Sequence, residues 1–195
     1  MAVGILGLTM ALGFSGCQSE NQKNQDAYRK IGINSMAEGD YDKAVKSFQK
    51  ALDTSLGKIG AEEIDICYYK AAAQFAKKDY DGAIETYTSL IDYDKENANA
   101  YYLRGSVYLD TDKKDKAFKD YKNAVKYAGR EYEIYEGIYE NLTNKGETEE
   151  AKNYLNALEQ DLEDVYELVD SGNLNVDAIL NSKLSMAIKK EIALD

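Results

Sequence analysis

A chain of 195 residues, 44% of them hydrophobic, has room for one ordinary domain or a short repeat array. It contains no proline, no histidine and no tryptophan, which removes the strongest helix breaker, the commonest general base and the commonest metal ligand, so an all-α chain is expected and a histidine-centred active site is excluded. The net charge of −11 is local: residues 1–130 carry 19 acidic and 19 basic side chains, residues 131–170 carry 13 acidic ones against Lys145 and Lys152, and residues 171–195 carry three of each; phosphate backbones repel such a chain, so no nucleic-acid partner is expected.

Residues 2–14 are apolar and uncharged, too short to cross a bilayer comfortably as a helix. They end in Phe14-Ser15-Gly16-Cys17, and a polar run follows at once. An apolar stretch closed by small residues is the form of a secretory signal. The ending resembles the bacterial lipobox, which implies cleavage before Cys17, lipidation of Cys17 and an anchor at the outer face of a bacterial membrane. Two features depart from that pattern: Phe14 stands where an aliphatic residue is usual, and the first basic residue is Lys23. A start upstream of Met1 would restore the missing charge, and a plain secretory signal is the alternative. On the lipobox reading residues 1–17 are a lipoprotein signal peptide and residues 18–25 a flexible tether.

From residue 39 onward one pattern recurs: a turn rich in Gly, Asp and Lys, then an alanine, then an aromatic. It reads GDYDKAVKSFQKAL at 39–52, KDYDGAIETYTSLI at 78–91, KKDKAFKDYKNAV at 113–125 and GETEEAKNYLNAL at 146–158. The alanines are Ala44, Ala83, Ala117 and Ala151, at spacings of 39, 34 and 34. Twelve residues before the first three stand Gly32, Ala71 and Gly105; four residues after them stand Phe48, Tyr87 and Tyr121. The fourth copy is degenerate, with Tyr139 at the small position and Leu155 at the aromatic one. A period of 34 with small and large residues in this register resembles the tetratricopeptide repeat. The resemblance implies a right-handed superhelical solenoid of about four helix-turn-helix repeats, near 25–58, 64–97, 98–131 and 132–165, within an array over 26–158. The longer first spacing requires a five-residue insertion, which the loop at 54–60 can hold. Gly39 and Gly146 fall at helix–helix turns, where a positive φ favours glycine. Tyr28, Tyr87, Tyr101 and Tyr121 are expected in the core.

Residues 148–170 lack glycine, and Leu155, Leu158, Leu162, Val165, Tyr166 and Val169 recur at helical spacing. One long helix is expected to end at Ser171-Gly172. A second amphipathic pattern runs from Val176 to Ile192. It reads as a capping helix at the end of the array, within 159–195.

The resemblance further implies a concave groove lined by the first helix of each repeat. Carried over by register, the groove positions include Asp26, Arg29, Ile33 and Met36 in the first repeat, and Asp65, Tyr68 and Phe75 in the second. The third supplies Asn99, Tyr102, Ser106 and Leu109, and the fourth Glu133, Glu136 and Glu140. Tyr68, Phe75 and Tyr102 would give an aromatic stretch suited to anchoring a ligand. Glu133, Glu136 and Glu140 share one helical face at i, i+3 and i+7, where like charges repel, and a basic segment would offset that repulsion. The set of Lys and Asn residues with which some members of the family grip C-terminal carboxylates is absent; only Arg29 and Asn99 come near it. A chaperone tail is therefore a poor fit.

Catalysis has little support, and no cofactor is expected. Cys67 is a lone cysteine at a packing position. Asp110, Asp112 and Asp115 lack the glycine and third ligand of a calcium loop and read as a solvated turn. Asn141-Leu142-Thr143 matches a glycosylation sequon inside an expected helix. The function expected is a non-enzymatic protein-interaction scaffold, a lipid-anchored adaptor that holds a protein or peptide in its groove. The alternative is an assembly subunit of a cell-envelope machine, working through its convex face and C-terminal helix.

Overall fold

The computed structural model describes residues 20–55, 57, 59–129, 131–154 and 156. The chain divides into two compact units, one up to Lys77 and one from Lys78. Every regular element among the described residues is an α-helix.

The first unit holds α1 (Glu20–Ala37), α2 (Tyr41–Thr54) and α3 (Ala61–Ala76). Helices α1 and α2 form a hairpin around Ala44, Phe48 and Ala51, with Ile66 and Ala73 of α3 closing the core and Ile33, Met36 and Tyr69 packed against it. The second unit holds α4 (Tyr80–Tyr93), α5 (Ala98–Asp110), α6 (Lys114–Ala128), α7 (Tyr132–Asn144) and a further helix from residue 148. Its core joins Leu109, Ala117, Tyr121 and Ala124 to Ile134, Ile138, Leu142 and Ala151.

The small and large positions of the pattern meet inside the α1–α2 and α5–α6 hairpins. A Cβ on Gly32 would lie 2.5 Å from the Phe48 ring, and one on Gly105 would lie 2.8 Å from the Tyr121 ring. Glycine is thus what allows α1 to approach α2, and α5 to approach α6, with an aromatic ring between them.

The hairpin turns repeat as well. Gly39, Lys78, Asp112 and Gly146 all have positive φ, of 77°, 66°, 56° and 78°. At Gly39, Asp112 and Gly146 the next residue's N–H reaches back to the helix, from Asp40 to Ser35, Lys113 to Tyr108 and Glu147 to Leu142, at 2.8–2.9 Å. These bonds satisfy carbonyls that the helix end would otherwise leave open. The Asp40 carboxylate caps α2 through the Lys43 N–H, and Asp79 caps α4 through Gly82. The loop between α2 and α3 spans residues 55–60, against 94–97 between α4 and α5. The five extra residues of the first spacing are divided: this loop is two residues longer, and α3 is three residues longer than α5, so the loop holds only part of the insertion expected there.

Three expectations need correction. Residues 20–25, assigned to a flexible tether, are the start of α1, and the buried Gln25 donates to Glu63 of α3 at 2.7 Å. That cross-helix bond gives the segment a partner that a polar composition did not reveal. Tyr87 and Tyr121 are buried, but Tyr28 and Tyr101 are only half-buried; Tyr28, midway along α1, meets Lys50, and Tyr101, in the first turn of α5, stacks on Tyr127. Leu109, assigned to the groove, is a core residue. Cys17 and the expected signal, the rest of the long helix and the capping helix lie outside the described residues.

Candidate protein-binding faces

In the first unit α1 and α3 face each other through charged side chains. Arg29 Nε donates to Asp65 Oδ2 at 2.9 Å, Nη2 makes a second contact to the same oxygen, and the guanidinium lies 5.3 Å from the Tyr69 ring centre. Arg29 was expected to meet a ligand; here Asp65 already holds it. Burial, with the contact to Asp26, pushes the Glu62 carboxyl up from its ordinary value. Tyr68 and Phe75 stand on the same helix α3, both half-buried. Cys67, immediately before Tyr68, is half-buried, and burial pushes its thiol up, which keeps it a poor nucleophile.

In the second unit the candidate face is built from α5 and α7. Tyr102 of α5 lies over Gly137 of α7 so closely that a Cβ there would be 2.3 Å from the hydroxyl oxygen. Tyr102 also packs 6.4 Å from Tyr121, centre to centre. Asn141 Nδ2 donates to Ser106 Oγ at 2.8 Å and lies 3.4 Å from the Tyr121 hydroxyl. Burial pushes the Tyr102 hydroxyl up, hydrogen bonds from Asn141 and Ser106 act the other way, and the nearby Glu140 charge adds to the rise. Glu133, Glu136 and Glu140 are exposed along α7, and Asn99 is exposed at the start of α5. This unit thus brings Asn99, Tyr102 and the three glutamates onto two packed helices, with a fixed polar cluster beneath the tyrosine.

Sequence reasoning missed two features of this unit. Asn141 is a structural amide and not a glycosylation acceptor, because its side chain is committed to Ser106 and Tyr121. Arg104 is held by Asp120 in a two-pronged pair, Nε to Oδ2 at 2.7 Å and Nη2 to Oδ1 at 2.8 Å, while Nη1 donates to Thr88 at 2.9 Å. The signal was present in the scarcity of arginine. The sequence has only Arg29, Arg104 and Arg130, and the first two each pair with an aspartate in a different helix. Among the described residues no group of three Cys, Asp or Glu side chains is placed to hold a metal ion.

Family models of the tetratricopeptide repeat match residues 29–87, 71–112 and 98–130. Residues 29–130 belong to the tetratricopeptide-repeat family. No curated protein matches the sequence. Among solved structures, MamA is similar at 23% identity, TM-score 0.55, over 74% of this chain and 81% of that one. A fragment of MamA from Desulfovibrio magneticus RS-1 is similar at 21% identity, TM-score 0.56, over 74% and 78%. The first repeat domain of Spaghetti (RPAP3), bound to the HSP90 peptide SRMEEVD, is similar at 18% identity, TM-score 0.51, over 63% and 93%. Likeness at this level speaks to the fold, which is the all-α tetratricopeptide-repeat fold in each case. Such repeats make a protein-interaction scaffold.

Proposed function

We propose that this scaffold takes a basic, partly apolar protein segment on the α5–α7 face of its second unit. Tyr102 supports the reading most directly: a half-buried ring, fixed over Gly137 and next to the charge of Glu140. A rigid aromatic anchor loses little entropy on binding, and an acidic rim steers a cationic partner to it. Glu133, Glu136 and Glu140 supply that rim. The peptide in the Spaghetti structure, SRMEEVD, is itself acidic, and this face would repel it. The lysine and asparagine set that would receive its terminal carboxylate is absent, and Arg29 is bound to Asp65.

Anchoring through Cys17 completes the proposed role, an adaptor held at the outer face of a bacterial membrane. The lipobox-like ending Phe14-Ser15-Gly16-Cys17 supports it. Metabolic labelling with a clickable fatty acid tests this part separately, since wild type must label and Cys17→Ala must not. For the binding face, the full chain is titrated with a Lys/Leu/Phe peptide and with SRMEEVD. The basic peptide should bind with an affinity that falls as salt rises, and Tyr102→Ala should weaken it at least about tenfold, the loss of one anchor of at least about 1.4 kcal/mol. Preference for SRMEEVD would reverse the assignment.

A further inference from the structure

The two units hold equivalent hairpins, α1–α2 and α5–α6, and treat one position differently. Ala44 and Ala117 are 73 residues apart, and so are Tyr28 and Tyr101, Ile31 and Arg104, Ser47 and Asp120. In the second unit this position is covered. The Arg104 side chain is 15% exposed, Asp120 is 4% exposed, and Thr88 of α4 closes over the pair from the helix that precedes the hairpin. In the first unit α1 is the first described helix, and Ile31 is 41% exposed. An open recess of about 450 Å³ remains, lined by Tyr28, Ile31 and Ser47, by Lys43, Lys46 and Lys50, and by Asp40 and Asp42.

The charge of this recess is specific. Asp40 is used as the α2 cap, and Asp42 lies 3.1 Å from Lys77. Lys50 lies 5.5 Å from the Tyr28 ring centre. Lys43 and Lys46 have no ion-pair partner among the described residues. Lys43, Lys46 and Lys50 stand at i, i+3 and i+7, a stripe about 10 Å long on one side of α2. The sequence carries a complement at its other end. Residues 159–170 hold six acidic side chains and no basic one. Glu159, Glu163 and Glu167 recur at i, i+4 and i+8, a stripe of about 12 Å if helical.

We propose that the recess is a docking site for a second copy of this chain, and that the docked element is the acidic segment 159–170 in the place that α4 takes against α5 and α6. Ile31 and Tyr28 supply the apolar floor, and the lysine stripe pairs with the glutamate stripe. The contact joins different surfaces of the two copies, so it is head-to-tail and builds rings or filaments. It does not depend on what binds the α5–α7 face.

Sedimentation of the full chain over a range of concentrations tests it. Wild type should self-associate, and high salt should weaken association at least about tenfold, because exposed charge pairs are screened. Lys43→Glu/Lys46→Glu/Lys50→Glu and Glu159→Lys/Glu163→Lys/Glu167→Lys should each be monomeric with unchanged helical circular dichroism, and a mixture of the two should associate again. A wild type that stays monomeric leaves the recess to a segment of its own chain or to another protein, and overturns the proposal. So does association that neither reversal changes, or a mixture that fails to restore it.

Discussion

Gly32 and Gly105 are the positions where one methyl group should force a hairpin apart. A Cβ at 2.5 or 2.8 Å from an aromatic ring forces the helices apart or the ring out of its place. Alanine would gain about 1 kcal/mol in helix propensity at either site, and overpacking of this kind costs about 1–3 kcal/mol, more when nothing can yield. Gly105→Ala should therefore lower the urea midpoint of the second unit, and Gly105→Ala/Tyr121→Leu should recover part of the loss. Removing one member of the Arg104–Asp120 pair leaves the other charged and buried, at a cost of about 3–5 kcal/mol; Asp120→Ala should show it by chemical denaturation. Tyr121 has a pH signature. Burial pushes its hydroxyl up to about 12. The unfolded tyrosine ionises first, near pH 10, so the unfolded state holds fewer protons and stability falls as pH rises from about 10 to about 12. The loss across that window is on the order of 2–3 kcal/mol for this residue. Denaturation of wild type and Tyr121→Phe at each pH measures it, and the variant should lose less. The glycine–aromatic pairs were legible in the sequence, because small and large residues recur at a fixed offset. Asn141 was not. Its partners Ser106 and Tyr121 are 35 and 20 residues away, and a lone amide carries no periodic signal.

At the scale of helices and turns, the positive-φ residues Gly39, Lys78, Asp112 and Gly146 keep the spacing of the alanines, at 39, 34 and 34. Two of the four are not glycine. A Cβ in that conformation costs roughly 1–2 kcal/mol, part of which glycine forfeits through greater freedom in the unfolded chain. Lys78→Gly should thus raise stability by about 0.5–1 kcal/mol. Asp112→Gly should gain less, because aspartate tolerates the left-handed region. A thermal melt followed by circular dichroism reads both, and a drop in midpoint for Lys78→Gly would contradict this account of the turn. The sequence showed a turn at all four places, but it announced the positive φ only at Gly39 and Gly146; at Lys78 and Asp112 only the register betrays the same backbone. It misled at residues 20–25, where a polar run reads as tether although Gln25 bonds to Glu63 of another helix. Periodicity reports the face a helix buries, not the long-range polar partner that fixes its end.

For the molecule as a whole, charge distinguishes its parts more than fold does. The repeats share one architecture, while residues 1–130 are neutral overall and residues 131–170 carry a net −11. Helix α7 displays part of that charge beside the anchored Tyr102. A solvated helix surface with no role in recognition would tolerate its removal. The most direct measurement is quantitative partner capture by the full chain and by Glu133→Gln/Glu136→Gln/Glu140→Gln, after both are shown to have the same melting midpoint. The account predicts that at least one protein held by wild type is lost at least about tenfold from the variant, as expected when a steering rim is neutralised, and that this protein presents a basic segment. Equal recovery of every partner by both forms would contradict it.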